Sequence, residues 1–398
     1  MLQGLKIIEC GEMVSAAYAA KLMADLGAEV IKVEPPGIGD RARRRGPFPL
    51  DTPCDSELSG LFTYLNANKL GISLELHHAK GREIFRQLLK DADVLIHNFP
   101  ISLCESLDLT YPALALHNAR LIVTQITTFG ASGPHSRFLA TDLVSMAAGG
   151  WAYLSPGGLA DPSQPPLKAF GEQAEFQGGV HAAVATMGAL FARRRLGRGQ
   201  LVDVSVQECI AAALELALVK YTYRDEISRR YGTFTPVMTL MRCKDGPIFV
   251  MILEDEQWRH LCNLIGNPEW TNWEIFRNRE GRSANLDLLR DNLEEWLKQH
   301  TVASVFKLAG EAKLPFAPVS TMAEILELDH LKQRNFFRLL NHPAAGMVAC
   351  PGPPYKLEAP DWQLRCGAPL LGQHNEEIYS RLGVSRRDLG GLRTAGVI

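Results

Sequence analysis

The opening stretch, residues 1–34, constrains the fold more than any other. Leu5-Lys6-Ile7-Ile8-Glu9 is an apolar run of strand length. Residues 16–26 are rich in Ala, Leu and Met and stop at Gly27, and Ala28-Glu29-Val30-Ile31-Lys32-Val33-Glu34 alternates with β-branched residues. A helical stretch closed by glycine and followed by a period-two run reads as strand–helix–strand. Strands joined by one helix in so short a span pair in parallel, through a right-handed crossover. The pattern recurs, with helix over 81–89, then strands at Asp93-Val94-Leu95-Ile96-His97 and Leu121-Ile122-Val123-Thr124-Gln125. This alternation predicts an α/β fold with an open parallel sheet in a large domain.

Two long helices are predicted next, over 175–195 and 206–223, flanking the strand Leu201-Val202-Asp203-Val204-Ser205. The first is so rich in Gly and Ala that another backbone must approach it closely. Beyond Tyr231-Gly232 the texture changes. Apolar runs at 239–241 and 248–252 flank Lys244-Asp245-Gly246, a hairpin turn, and an amphipathic helix covers 285–299. The expected organisation is a large domain from 1–224 and 326–398, with a smaller α+β domain at 225–325. A length of 398 residues accommodates both.

Lys and Arg total 42 against 44 Asp and Glu, a formal net charge of -2. That balance argues against a generic polyanion binder, so no nucleic-acid partner is expected. No run reaches the roughly 18 apolar residues of a membrane span, and the longest, 210–219, is broken by Glu215. With no signal-peptide pattern after Met1, the expectation is a cytoplasmic protein without a membrane partner. Cys10, Cys54, Cys104, Cys209, Cys243, Cys262, Cys350 and Cys366 form no C-x-x-C pair and read as buried reduced thiols. No H-E-x-x-H occurs, and no metal is expected. Gly37-Ile38-Gly39-Asp40-Arg41-Ala42 follows the second strand, not the first, and opens no apolar helix, so it makes a poor dinucleotide motif. P-loop and G-x-S-x-G motifs are absent from the sequence. Two arginine clusters, Arg41 with Arg43 to Arg45 and Arg193 to Arg195 with Arg198, read equally as solvated faces or as seats for a phosphorylated ligand.

Several ordered blocks together resemble the class III CoA-transferases, a family that includes formyl-CoA transferase, carnitine CoA-transferase and the α-methylacyl-CoA racemases. The blocks are Met23-Ala24-Asp25-Leu26-Gly27-Ala28-Glu29-Val30-Ile31-Lys32-Val33-Glu34 with Gly39-Asp40, then Leu65-Asn66-Ala67-Asn68-Lys69 with Ser73-Leu74. They continue with Ala92-Asp93 and Asn98-Phe99, then Phe129-Gly130, Ser132-Gly133-Pro134 and Asp142. Gly197-Arg198-Gly199-Gln200-Leu201-Val202-Asp203-Val204-Ser205, Leu371-Gly372-Gln373-His374 and Ala395-Gly396-Val397-Ile398 complete the set. The resemblance implies a Rossmann-like large domain built from both chain ends, a small inserted domain, and an interlocked homodimer.

It also implies the chemistry: CoA moves from an acyl-CoA thioester to a free carboxylic acid through anhydride and enzyme-bound thioester intermediates on a carboxylate. CoA and acyl-CoA are then substrates, and no cofactor is permanently bound. Counting back 25 positions from Gln200 brings the family's catalytic aspartate onto Glu175, a glutamate here, with Glu172 nearby. The start of a helix there is expected to lend N–H donors to the developing oxyanion. For CoA, the resemblance carries over Val14, Ser15 and Ala16, then Pro35, Asn68 and Lys69, and Asn98 and Phe99, with Arg41 and Arg137 as phosphate candidates. The family's A-G-P stretch is Ser15-Ala16-Ala17 here, Pro100-Ile101-Ser102 replaces a Pro-Gly, and the glycine-rich loop of formyl-CoA transferase has no counterpart over 235–240. Two alternatives remain: an acyl-CoA racemase, which needs a histidine where this chain has Thr141, and a catalytically silent CoA-binding relative.

Overall fold

The computed structural model describes residues 1–50, 55–157, 161, 163–230, 237–358 and 362–398. The texture change at Tyr231-Gly232, the start of 235–240 and Cys54 lie outside the described residues. The chain divides into two compact units, one of Met1–Ser155, Pro166–Ser228 and Asn335–Ile398, the other of Pro156–Pro165 and Arg229–Arg334. Compared with the 224 and 325 boundaries drawn from sequence, the short helices Met322–Glu327 and Asp329–Gln333 stay with the smaller unit.

In the larger unit, β1 (Lys6–Glu9), β2 (Glu29–Glu34), β3 (Lys69–Ser73), β4 (Val94–His97), β5 (Ile122–Thr127) and β6 (Leu201–Ser205) form one sheet. Every pairing is parallel and the order is β3-β2-β1-β4-β5-β6. Strand side chains alternate between faces, and both faces are apolar. Ile8, Ile31, Ile72, Leu95 and Val123 pack against Phe85, Leu88 and Leu89 of the helix Ala79–Lys90 and against Ile378, Tyr379 and Ile398 near the chain end. Ile7, Val30, Val94, Ile122 and Val204 pack against the alanines of the first helix, Ser15–Asp25, and of the long helix Gln173–Leu196. The close approach expected of the long helix is made by the first helix: a Cβ on Gly179 would lie 2.9 Å from the Ser15 carbonyl oxygen. The 206–223 helix is two helices, Val206–Ala212 and Glu215–Arg224, interrupted at Ala213–Leu214.

The smaller unit holds the predicted hairpin, β7 (Val237–Arg242) with β8 (Pro247–Ile252), extended by β9 (Ala317–Pro318). Its core gathers Trp258, Phe276, Leu289, Leu293 and Leu297. A second hairpin, β10 (Phe337–His342) with β11 (Gly346–Pro351), belongs to the larger unit. Among the described residues no helix is long and apolar enough to cross a membrane. Of the cysteines expected to be buried, Cys10, Cys104, Cys209, Cys243 and Cys262 are buried, Cys350 is half-buried and Cys366 is exposed.

Candidate active site

A parallel sheet in this order reverses direction between β1 and β4. In open α/β sheets the loops leaving the carboxyl ends of the strands at such a reversal usually hold the ligand. Here the loops are residues 10–14 and 98–100. Asn98 ties them together: its Oδ1 accepts the Glu12 N–H (2.9 Å), and its Nδ2 donates to the Glu12 carbonyl (2.7 Å) and to Ser15 Oγ (3.1 Å). Beneath it, buried His97 is pushed down to about 4 by burial, so it is neutral at pH 7, and its Nδ1 accepts the Phe99 N–H (3.3 Å).

The β1 loop rests on a fully buried ionic network. Lys32 Nζ bonds Glu9 (2.9 Å), Asp40 (2.7 Å) and the Gly11 carbonyl (2.7 Å). The other Asp40 oxygen accepts the N–H of Met13 (2.8 Å), whose φ of 61° needs such a restraint. Arg43 grips Glu34 through Nε (2.7 Å) and NH2 (2.8 Å). Lys69 Nζ bonds Glu9 (3.3 Å), the Ala17 carbonyl (2.8 Å) and Asn66 (2.8 Å). Three anions thus meet three cations, the condition for burying charge at tolerable cost. Burial opposes the charge on Lys32, yet Asp40 and Glu9 raise it above an ordinary lysine. Burial pushes Lys69 down to about 8, with Glu9 only partly resisting.

Glu175 sits half-buried in the first turn of the long helix. Asp142, buried at the start of the helix Asp142–Ala148, caps that turn: its Oδ1 accepts the N–H of Ala174 (2.7 Å) and of Glu175 (3.1 Å). Its Oδ2 lies 2.8 Å from Lys168 Nζ. Burial raises the Glu175 carboxyl above its ordinary value. The Ser15 hydroxyl and N–H work against that shift, while Asp142 and Glu172 add to it. Phe176 closes edge-on against Tyr18 at 4.7 Å, and Arg45 pairs with Glu172 (3.2 Å).

The structure thus brings Ser15, Asn98 and Glu175 together from three separate elements. Pro35 and Phe99 are half-buried, and Arg41 is exposed and paired with Glu12. Arg137 is exposed and held by both oxygens of Glu105 (2.7 and 3.0 Å). Four of the residues expected to contact CoA are engaged or enclosed within the chain. Lys69 is spent on the buried network. Asn68 donates to Asp25 (2.7 Å) and accepts the N–H of Arg365 (2.6 Å), tying the chain together. Val14 and Ala16 are wholly enclosed by packing. The helix-start N–H groups of Ala174 and Glu175 are likewise engaged, by Asp142. The arginine clusters each send one member inward: Arg43, and Arg193, which pairs with Asp93 at 2.7 Å. Sequence reasoning missed Lys168, the capping role of Asp142, and the Glu9–Lys32–Asp40 core. Charged residues inside otherwise apolar strands were the available signal for that core.

The family model described as CoA-transferase family III matches residues 2–375. The chain is 30% identical to the succinyl-CoA:(R)-benzylsuccinate CoA-transferase subunit BbsE of Thauera aromatica, over 96% of this chain and 94% of that one. It is likewise 30% identical to the formyl-CoA:oxalate CoA-transferase of Streptomyces coelicolor, over 100% of this chain and 99% of that one. A crystal structure of a CAIB/BAIF family protein from Brucella suis shares the fold with a TM-score of 0.85 at 28% identity, over 96% of this chain and 99% of that one. A carboxylate near the sheet's reversal point and a match across nearly the whole length agree: the chain belongs to CoA-transferase family III.

Proposed function

We propose that the protein moves CoA from an acyl-CoA donor to a free carboxylic acid, with Glu175 as the covalent carrier. The observation that carries this reading is the Glu175 carboxyl in the first turn of the long helix, its backbone held by Asp142, beside the Ser15–Asn98 pair at the sheet's reversal point. The relatives' names pair an acyl-CoA with a carboxylic acid, which supports the same substrate classes here.

In the first step a Glu175 oxygen attacks the thioester carbonyl, the C–S bond breaks, and CoA leaves as thiolate from a mixed anhydride. The thiolate then attacks the Glu175 carbonyl of that anhydride, releasing the donor's carboxylate and leaving a glutamyl-CoA thioester. The acceptor carboxylate attacks this thioester, giving a second anhydride and free thiolate. Attack on the acceptor's acyl carbon yields the new acyl-CoA and restores Glu175. A raised carboxyl is a better nucleophile once ionised, and the Ser15 donors are the groups positioned to stabilise charge on the oxygens of the Glu175 carbonyl. CoA enters along Pro35, Asn98 and Phe99, with Arg41 and Arg137 at the exposed edge for phosphate.

Assembly as an interlocked homodimer is part of this proposal. Val180, Val184, Met187 and Phe191 recur along the outer face of the long helix, with Val184 68% and Phe191 76% exposed. An apolar stripe of that kind on water calls for a partner surface.

Mass spectrometry of the protein mixed with formyl-, acetyl- or succinyl-CoA tests the chemistry. CoA is expected on the Glu175 peptide, and Glu175→Ala is expected to abolish both capture and turnover. Wild-type turnover by the Ala variant would sink the covalent role. The glutamate in place of the family's aspartate also favours a second reading, a CoA-binding chain without chemistry. Failure of the wild type to capture or exchange CoA across a broad panel of donors and acceptor acids would favour that one.

A further inference from the structure

Among the charged groups around Glu175, Lys168 acts on the helix start through another side chain. Its Nζ lies 2.8 Å from Asp142 Oδ2, and the opposite oxygen of Asp142 holds the N–H groups of Ala174 and Glu175. The same Nζ donates to the carbonyls of Ala169 (3.3 Å) and Gly171, so it gathers the segment that leads into the helix. Asp142 is enclosed at 2% side-chain exposure, and Lys168 is 28% exposed. The buried carboxylate that fixes the backbone of Glu175 is therefore also a negative charge beside the Glu175 side chain, and Lys168 is the cation set against it.

We infer that Lys168 is a positioning residue for Glu175: it neutralises the capping carboxylate of Asp142, so that the helix start presents an ionisable Glu175 beside Ser15. This rests on the reading of Glu175 as the covalent carrier. The ionisable groups facing Glu175 are Asp142 from the neighbouring helix and Glu172 from its own approach, and Glu172 is in turn paired with Arg45. The first helix contributes the uncharged Ser15. Asp142 and Glu172 both disfavour the Glu175 anion, so loss of the lysine leaves Glu175 harder to ionise and less firmly placed. Misplacement by ~1 Å costs about 10²-fold in rate.

The test compares wild type with Lys168→Met, Lys168→Arg, Asp142→Asn and the Asp142→Asn/Lys168→Met double variant, with Glu175→Ala and Glu175→Gln as references. Two quantities are read on the full chain. One is the rate of CoA capture from formyl-, acetyl- or succinyl-CoA. The other is the pH titration of the Glu175 carboxyl carbon by 13C NMR, assigned with Glu175→Gln and independent of any substrate. Lys168→Met is expected to move the titration to higher pH and to slow capture by roughly 10- to 10²-fold, with Lys168→Arg restoring both. Asparagine keeps an acceptor oxygen without the charge, so Lys168→Met should add little in the Asp142→Asn background. A Lys168→Met protein that titrates and captures like wild type overturns the inference. So does one equally impaired with aspartate or asparagine at 142. If instead Glu175→Ala still turns over, the covalent reading falls, and the titration alone then decides whether Lys168 acts on Glu175.

Discussion

Glu175→Asp restores the residue type usual at this position in the resembled family, yet it should slow the enzyme. Aspartate is shorter by one carbon–carbon bond, about 1.5 Å. The backbone cannot make up the difference, because Asp142 pins the N–H groups of Ala174 and Glu175 at 2.7 and 3.1 Å. Nor can Ser15 advance, since the first helix already touches the long helix at Gly179, where even a Cβ would lie 2.9 Å from the Ser15 carbonyl oxygen. The shorter carboxylate would therefore sit further from the Ser15 hydroxyl and N–H, which favour its anion. Misplacement of a reacting group by ~1 Å costs about 10²-fold in rate, so a loss of roughly 10- to 10²-fold is expected. The assay is a time course of CoA capture at residue 175 by peptide mass spectrometry, with circular dichroism to confirm folding. An aspartate variant as fast as wild type, or faster, would refute the argument from reach.

Three further outcomes follow from the same geometry. The Glu175 carboxyl is raised in the folded protein, chiefly by burial, so the folded state holds its proton to higher pH than the unfolded chain. Its ionisation therefore lowers stability as pH climbs through the window above the ordinary glutamate value. Urea unfolding of Glu175→Gln should show a gain over wild type at pH 7 and none at a pH below that window, while the capture rate of wild type should fall with acidification earlier than for an ordinary glutamate. Lys32→Met leaves Glu9 and Asp40 buried without their shared cation, and urea denaturation should report a loss of about 3–5 kcal/mol. If two copies interlock, thermal unfolding should be one concentration-dependent transition, and a folded monomer at micromolar concentration by analytical ultracentrifugation would contradict it.

Much of the architecture was readable along the chain because it is written in local periodicity. An apolar run, a helix closed at Gly27 and a second run leave parallel pairing as the economical solution, and the recurrence of that unit built the six-stranded sheet. The Gly and Ala content of the long helix likewise announced a close neighbour, although only the fold named it as the first helix. Side-chain partnerships were another matter. Lys69 looks the same in a sequence whether or not it neutralises Glu9, and only the fold shows its bonds to Glu9 and to the first helix. Asp142 accepts an N–H 32 residues further on, and Lys168, outside any helix, answers that carboxylate. Secondary structure depends on neighbours a few residues apart, whereas the charge state and aim of a buried group depend on what the folded chain sets within about 4 Å of it. That distance belongs to the tertiary structure alone.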